Sequence, residues 1–297
     1  EQSPAPPSVP EQEPGDGPLR TFMGLFLVPL LVILACVAVF VGFGWVAYEH
    51  NTVSDYLNDL HSSWRPRRAQ AAYELSKILI ADPAALADDP AAQAEIRRQF
   101  QEADDEVMRR YLALVLGRAG DAEAVPLLVD ALDHPDSQTR IYVLMALGQS
   151  GDPRAVEPVR ATLTDADPGL RKTAAWSLGE LGDPSAIDSL EPLLADSEAD
   201  VRWNAALALA RLGSDLGVPV LRQMLDRGLT GQAPENTPAQ QEGAMIEAVR
   251  ALAVVGGEGS LELLSELAEN DPSMKVRQAS IEALKAAEGS AATGPRP

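Results

Sequence analysis

Two hydrophobic patterns divide the chain. From Thr21 to Tyr48 the sequence TFMGLFLVPLLVILACVAVFVGFGWVAY runs for 28 residues without a charge. Beyond residue 50 the apolar positions recur three or four apart, broken by Gly-Asp, Asp-Pro and Asp-Ser turns. The first pattern has no polar face, and the length of the run predicts a single transmembrane helix. A bilayer core of about 30 Å needs about 20 apolar residues at roughly 1.5 Å each. A cleaved signal peptide carries a shorter apolar region, about 7–15 residues, that ends in small side chains. This run ends instead in Trp45 and Tyr48, residue types that favour a membrane interface. Within it Ala38 and Gly42 form a small-xxx-small pair, the expected packing face for another membrane helix. Arg65, Arg67 and Arg68 outnumber Arg20 across the run, which predicts a cytoplasmic C-terminal side. The expected location is therefore a bacterial inner membrane, single-pass, with the bilayer contacted through residues 21–48.

The second pattern repeats. Gly-Asp or Gly-Ser pairs begin at Gly120, Gly151, Gly182 and Gly213, 31 residues apart. Arg109, Arg140, Arg171 and Arg202 keep the same spacing, as do Leu116, Leu147, Leu178 and Leu209. Each arginine follows an acid by four residues: Asp105, Asp136, Asp167 and Glu198. Four columns in one register predict a helical solenoid. In residues 183–213, Asp183 before Pro184 reads as an N-cap with proline at the first helical position. Ile187, Leu190 and Leu194 make the apolar face of a short first helix. Glu198 places a carboxylate at the positive end of a second helix. Ala205, Ala206, Leu209 and Leu212 face the core, and Gly213 closes the unit near C′.

These residues resemble the short bacterial HEAT-like repeats, the type also found in phycobilisome lyases. The likeness is strongest over 121–213 and extends, weaker, to 88–120. It returns over 257–288, where Val276, Arg277 and Leu284 restore the pattern. A degenerate pair is expected at 52–80, with Leu57 and Leu60 on its first helix. The expected fold class is all-α, a transmembrane helix followed by a right-handed α-solenoid of HEAT-like pairs. The expected layout is a Pro- and acid-rich tail at 1–18, the membrane helix within 19–50, and degenerate repeats or a cap at 51–103. The solenoid follows at 104–288, with an inserted loop at 228–241 and a flexible tail at 289–297. The resemblance further implies that the second helices line a concave face. Positions two and five after each arginine then give an apolar stripe, Tyr111, Leu114, Tyr142, Met145, Trp176 and Leu207, which is the candidate protein-binding site.

Composition narrows the function. The net charge is −20, from 24 Lys+Arg against 44 Asp+Glu, which excludes a general nucleic-acid surface. One cysteine, Cys36, excludes an internal disulfide and a cysteine zinc site. No HExxH, phosphate loop or G-x-S-x-G elbow is present, so no catalytic, cofactor-binding or metal-binding residue is assigned. The expected function is a membrane-anchored interaction scaffold, an accessory or assembly subunit of a bacterial membrane complex. Its expected partners are proteins in or at the membrane. The alternative is a lyase-like or chaperone-like protein that holds a prosthetic group or maturing polypeptide in its groove. The arginine column is expected to pair with Asp165, Asp196 and Asp271 as a structural ladder.

Overall fold

A computed structural model describes residues 27–47, 52–230 and 237–293. The chain divides into two compact units, residues 1–52 and 53–297. In the first, α1 spans Val28–Ala47 and carries no charged residue. Its described side chains, at 30–40, cover about 16 Å at 1.5 Å per residue, roughly half a bilayer core. Among the described residues no helix is long and apolar enough to cross a membrane. That finding corrects the expected transmembrane anchor, the bilayer contact through 21–48 and the single-pass inner-membrane location with a cytoplasmic repeat domain. It also removes the basis for a membrane packing face at Ala38 and Gly42. Ala38 is exposed, and the surroundings of Gly42 lie outside the described residues.

The second unit is a stack of helical pairs, and no strand occurs among its described residues. Its second helices are α3 (Arg65–Ala81), α5 (Glu106–Arg118), α7 (Ser137–Ser150), α9 (Pro168–Leu181) and α11 (Ala199–Arg211), followed by α14 (Pro238–Val255) and α16 (Met274–Thr293). The first helices are α2 (Val53–Asp59), α4 (Pro90–Glu102), α6 (Ala124–Asp130), α8 (Val156–Ala161), α10 (Ile187–Leu190), α12 (Val218–Met224) and α15 (Glu258–Asn270), with α13 (Arg227–Thr230) in the sixth repeat. Each second helix packs chiefly on the second helices of its neighbours and on the first helix of its own pair.

Local sequence explains each boundary. Asp105, Asp136 and Asp167 sit in extended conformation at N-caps, and their carboxylates accept the N–H of Met108, Thr139 and Gly169. Glu198 holds the same position without a side-chain cap bond. Gly120, Gly151, Gly182 and Gly213 all have left-handed φ, between 63° and 78°, as the ends of second helices require. The first helices α6, α8, α10 and α12 are short, and each has a proline within or beside it. Between Pro184 and Ala195 the chain runs as a 3-10 turn, one α-turn and a second 3-10 turn, with Pro184 and Pro192 each removing a donor.

Close approach between second helices rests on a glycine column that the sequence reading overlooked. Gly117, Gly148 and Gly179 recur at 31 residues, facing Ala146, Ser177 and Ala208 of the next helix. A Cβ on Gly148 would lie 2.8 Å from Ser177 Cα, and one on Gly117 would lie 2.4 Å from the Ala146 carbonyl oxygen. The helices meet backbone to backbone, so nothing larger than hydrogen fits.

The sixth repeat carries extra chain. The expected loop at 228–241 is narrower in the structure, because α13 reaches Thr230 and α14 starts at Pro238. Thr237 and Gln240 form a reciprocal capping box ahead of α14, which accounts for the early start. The unit closes at Gly256. Its N–H donates to Leu252 O as that of Gly182 does to Leu178 O. The tails at 1–18 and 294–297, and the loop centre at 231–236, lie outside the described residues.

Candidate functional site

Along the solenoid, aspartates hold the turns and arginines join them. Arg171 bonds both carboxylate oxygens of Asp196, at 2.8 and 2.9 Å. Arg140 pairs with Asp165. Each aspartate also accepts the backbone N–H two residues on, at Asp167 and Glu198, both 2.9 Å. Asp271 repeats the arrangement with Ser273, but its arginine is Arg227, at 2.6 Å. The expected ladder is present at Asp165, Asp196 and Asp271, with one substitution of partner. The hydrogen bond from Arg171 holds the Asp196 carboxyl below its ordinary range, against the opposing effect of burial. The N–H of Asp167 does the same for Asp165, with Arg140 adding to it.

His134 stands where the next rung would have an aspartate. Its Nδ1 accepts the Asp136 N–H at 3.1 Å, and its Nε2 lies 3.6 Å from Glu106. Glu106, His134 and Asp136 bring ligand atoms within 4.8 Å of one another, a spacing compatible with a metal ion. Their charges are already engaged, however. Asp136 takes Arg110 at 2.8 Å and the Thr139 N–H and hydroxyl, each at 2.7 Å. The Thr139 hydroxyl and Arg110 hold its carboxyl at about 2. Glu106 accepts the same hydroxyl at 3.0 Å and has Arg109 at 3.8 Å. Both acids cap or open helices, where a cation is disfavoured. We read the group as a capping cluster.

The remaining side of the second helices carries the candidate stripe. Tyr111, Tyr142, Met145, Trp176 and Leu207 are half-buried, so each presents part of its surface. Leu114 is 9% exposed and belongs to the interior rather than the stripe, because the helices approach too closely to leave it open. Tyr111 and Leu207 also lean on the core. The sequence reading missed Tyr73 on α3, whose ring meets Tyr111 edge-on at 5.1 Å; Tyr111 meets Tyr142 the same way at 6.1 Å. Lys77 lies 5.2 Å from the centre of the Tyr73 ring. Tyr73 was hidden because α3 lies outside the 31-residue register, although the stretch AAYELSKIL already has its helical spacing. Edge-to-face rings at these separations favour one another by about 0.5–1.5 kcal/mol. The result is a three-ring aromatic ladder across α3, α5 and α7.

One helical turn or two beyond the rings lies a second row: Arg118, Gln149, Glu180 and Arg211. At its far end Arg211 pairs with Glu180 at 3.5 Å. At its near end Arg118 has no hydrogen bond or ion pair, alone among the described arginines, and its Nη1 is buried. Its register neighbour Gln149 is neutral, and the Gln149 Oε1 is likewise buried without a partner. Burial lowers the pKa of Arg118 with no carboxylate to offset it.

Comparisons with known proteins agree with this construction. The HEAT repeat family matches residues 94–167 and 156–230. Residues 94–230 of the array therefore match HEAT repeats. Among solved structures the chain is similar to the complex of CpcE and CpcF of phycocyanin lyase from Nostoc sp. PCC7120. Identity there is 22%, covering 80% of this chain and 94% of that one, with a TM-score of 0.52. It is also similar to an engineered protein, at 20% identity over 80% and 96% of the two chains, TM-score 0.45. Human deoxyhypusine hydroxylase matches at 21% over 80% and 96%, TM-score 0.34. The first of these likenesses speaks to the fold alone. A search of curated proteins finds no match.

Proposed function

We propose that this HEAT array is an accessory protein that holds a polypeptide segment against the open side of its second helices. The observation that carries the reading is the aromatic ladder Tyr73–Tyr111–Tyr142 with Met145 beside it. Solvent-accessible aromatic and methionine side chains on a rigid helical surface are the residue types that anchor partner peptides. The array offers a pre-ordered surface, so the segment it takes up bears most of the ordering cost. The acidic balance of the chain favours partners whose flanking residues are neutral or basic.

A photo-crosslinking residue in place of Met145 tests the reading, with one in place of the exposed Glu157 on α8 as control. Polypeptide adducts at 145 and none at 157 are expected. Equal adducts at both, or none at either, would sink the proposal.

A second reading is lyase-type: the held polypeptide receives a prosthetic group while bound. The likeness to the phycocyanin lyase subunits is what favours it. Visible absorbance of the complex recovered with its partner separates the two, since a purely polypeptide complex is colourless.

A further inference from the structure

We infer that Arg118 and Gln149 form a carboxylate subsite of this binding face, and that the segment it takes is an extended peptide with one acidic group close to an aromatic, proline or aliphatic residue. The inference rests on the polypeptide-binding reading above and adds the chemistry of the ligand.

Three observations meet at this point. Arg118 is the single described arginine without a partner, in a chain where every other described guanidinium is hydrogen-bonded or ion-paired. In its own row, two repeats on, Glu180 and Arg211 of adjacent helices make an ion pair, with the acid on the earlier helix. At the near end the arginine comes first and the next residue in the row is a neutral glutamine, which leaves the guanidinium without a complement. Desolvating a cation without compensation is costly, and a ligand carboxylate removes that cost through paired N–H···O bonds. The Gln149 Oε1 is closed to solvent, which leaves its amide N–H groups to donate to the same carboxylate.

Spacing sets the register. From Arg118 to Tyr111 is seven residues of helix, about 10 Å. An extended peptide covers that distance in about three residues at 3.3 Å each. The carboxylate at one position therefore puts a residue three positions away over the Tyr111–Tyr142 rings, and one two positions away near Met145. Because the chain is strongly acidic overall, the ligand carries this one carboxylate among neutral or basic neighbours.

The test uses the full chain and a randomised library of bead-bound seven-residue peptides, one half with free C-terminal carboxylates and the other amidated. The expected binders carry an aromatic, proline or aliphatic residue three positions from a single carboxylate. Enrichment in the amidated half assigns an Asp or Glu side chain as its source; enrichment only in the free-acid half assigns the chain terminus. Affinity for the selected peptides should fall about tenfold in Arg118→Gln and recover in part in Arg118→Lys. Thermal unfolding of Arg118→Gln should be unchanged or raised, which separates lost binding from lost fold. Binders that ignore the carboxylate, or that bind Arg118→Gln as well as the native chain, overturn this inference and leave the polypeptide-binding reading standing. A library with no binders overturns both.

Discussion

The repeats before Gly213 and those after it use the same helical pair but secure it differently. In α7 and α9 three devices recur together: an arginine joined to the next turn, a glycine where helices touch, and an aspartate at the N-cap. From α11 onwards the pattern is patched. Arg202 finds no carboxylate, because the register position that holds Asp165 and Asp196 is occupied by Arg227, and it settles for the carbonyls of Asp196 and Ser197. Arg227 itself then supplies the cation for Asp271. In α14 the buried Met245 stands where Arg171 stands in α9. The apolar interior divides at the same place. Ala205, Ala208 and Leu209 of α11 join the long N-terminal core, while Ala206 and Ala210 join the C-terminal one. The contrast teaches that the repeat is a set of separable contacts, each of which can be lost if another part of the chain replaces it.

The largest expected effect comes from the glycines. Gly148→Ala forces a methyl against Ser177 backbone and should cost about 2–3 kcal/mol. Gly243→Ala on α14 meets nothing within 4 Å and should instead gain up to about 1 kcal/mol. Urea midpoints of the two variants measure the difference, and equal shifts in the same direction would erase the distinction between the regions.

Next come the rungs. Arg171→Ala leaves Asp196, 12% exposed, without its cation and should cost about 2–3 kcal/mol. Arg202→Ala removes only bonds to backbone carbonyls and should cost about 1 kcal/mol. A double variant whose loss equals the sum would show that the two rungs act independently.

Acid should weaken the N-terminal repeats. The carboxyls of Asp136, Asp165 and Asp196 are all held below their ordinary value, Asp136 at about 2. A folded pKa below the unfolded one gives stability that is full above the unfolded value and is lost as pH falls through the folded one. For Asp136 that window runs from about 4 down to about 2. Hydrogen exchange at falling pH should show α7, α9 and α11 losing protection across it. Protection that stays constant would argue against the carboxylate rungs as a source of stability. The smallest effect belongs to Thr237→Ala, which breaks the capping box and should cost about 1 kcal/mol, read as fraying at the start of α14 by hydrogen exchange.

Much of this architecture was written plainly in residue order. The Gly-Asp turns gave the left-handed helix ends, the acids gave the N-caps, and the arginine-aspartate ladder followed from both. What escaped had a physical cause in each case. The column Gly117, Gly148 and Gly179 was as regular as the turn glycines, but its meaning depends on a neighbouring backbone that only the stack supplies. Tyr73 lies outside the 31-residue register. Leu114 was expected to face outwards from its helical angle alone, and close packing buries it. The unpaired state of Arg118 is a statement about what is missing around a side chain, which no spacing records. The apolar run at 21–48 was read from its length and composition, and the described part of it falls short of a span.

Because each second helix meets chiefly its immediate neighbours, the main tertiary contacts join residues about one repeat apart in the chain. Loop closure then costs the same entropy at every step and does not grow as repeats are added. Folding of such an array can begin within any adjacent pair and spread outwards, at a rate set by the pair rather than by total length. The seam inside α11, where one helix serves two interiors, is where that spreading front would pause.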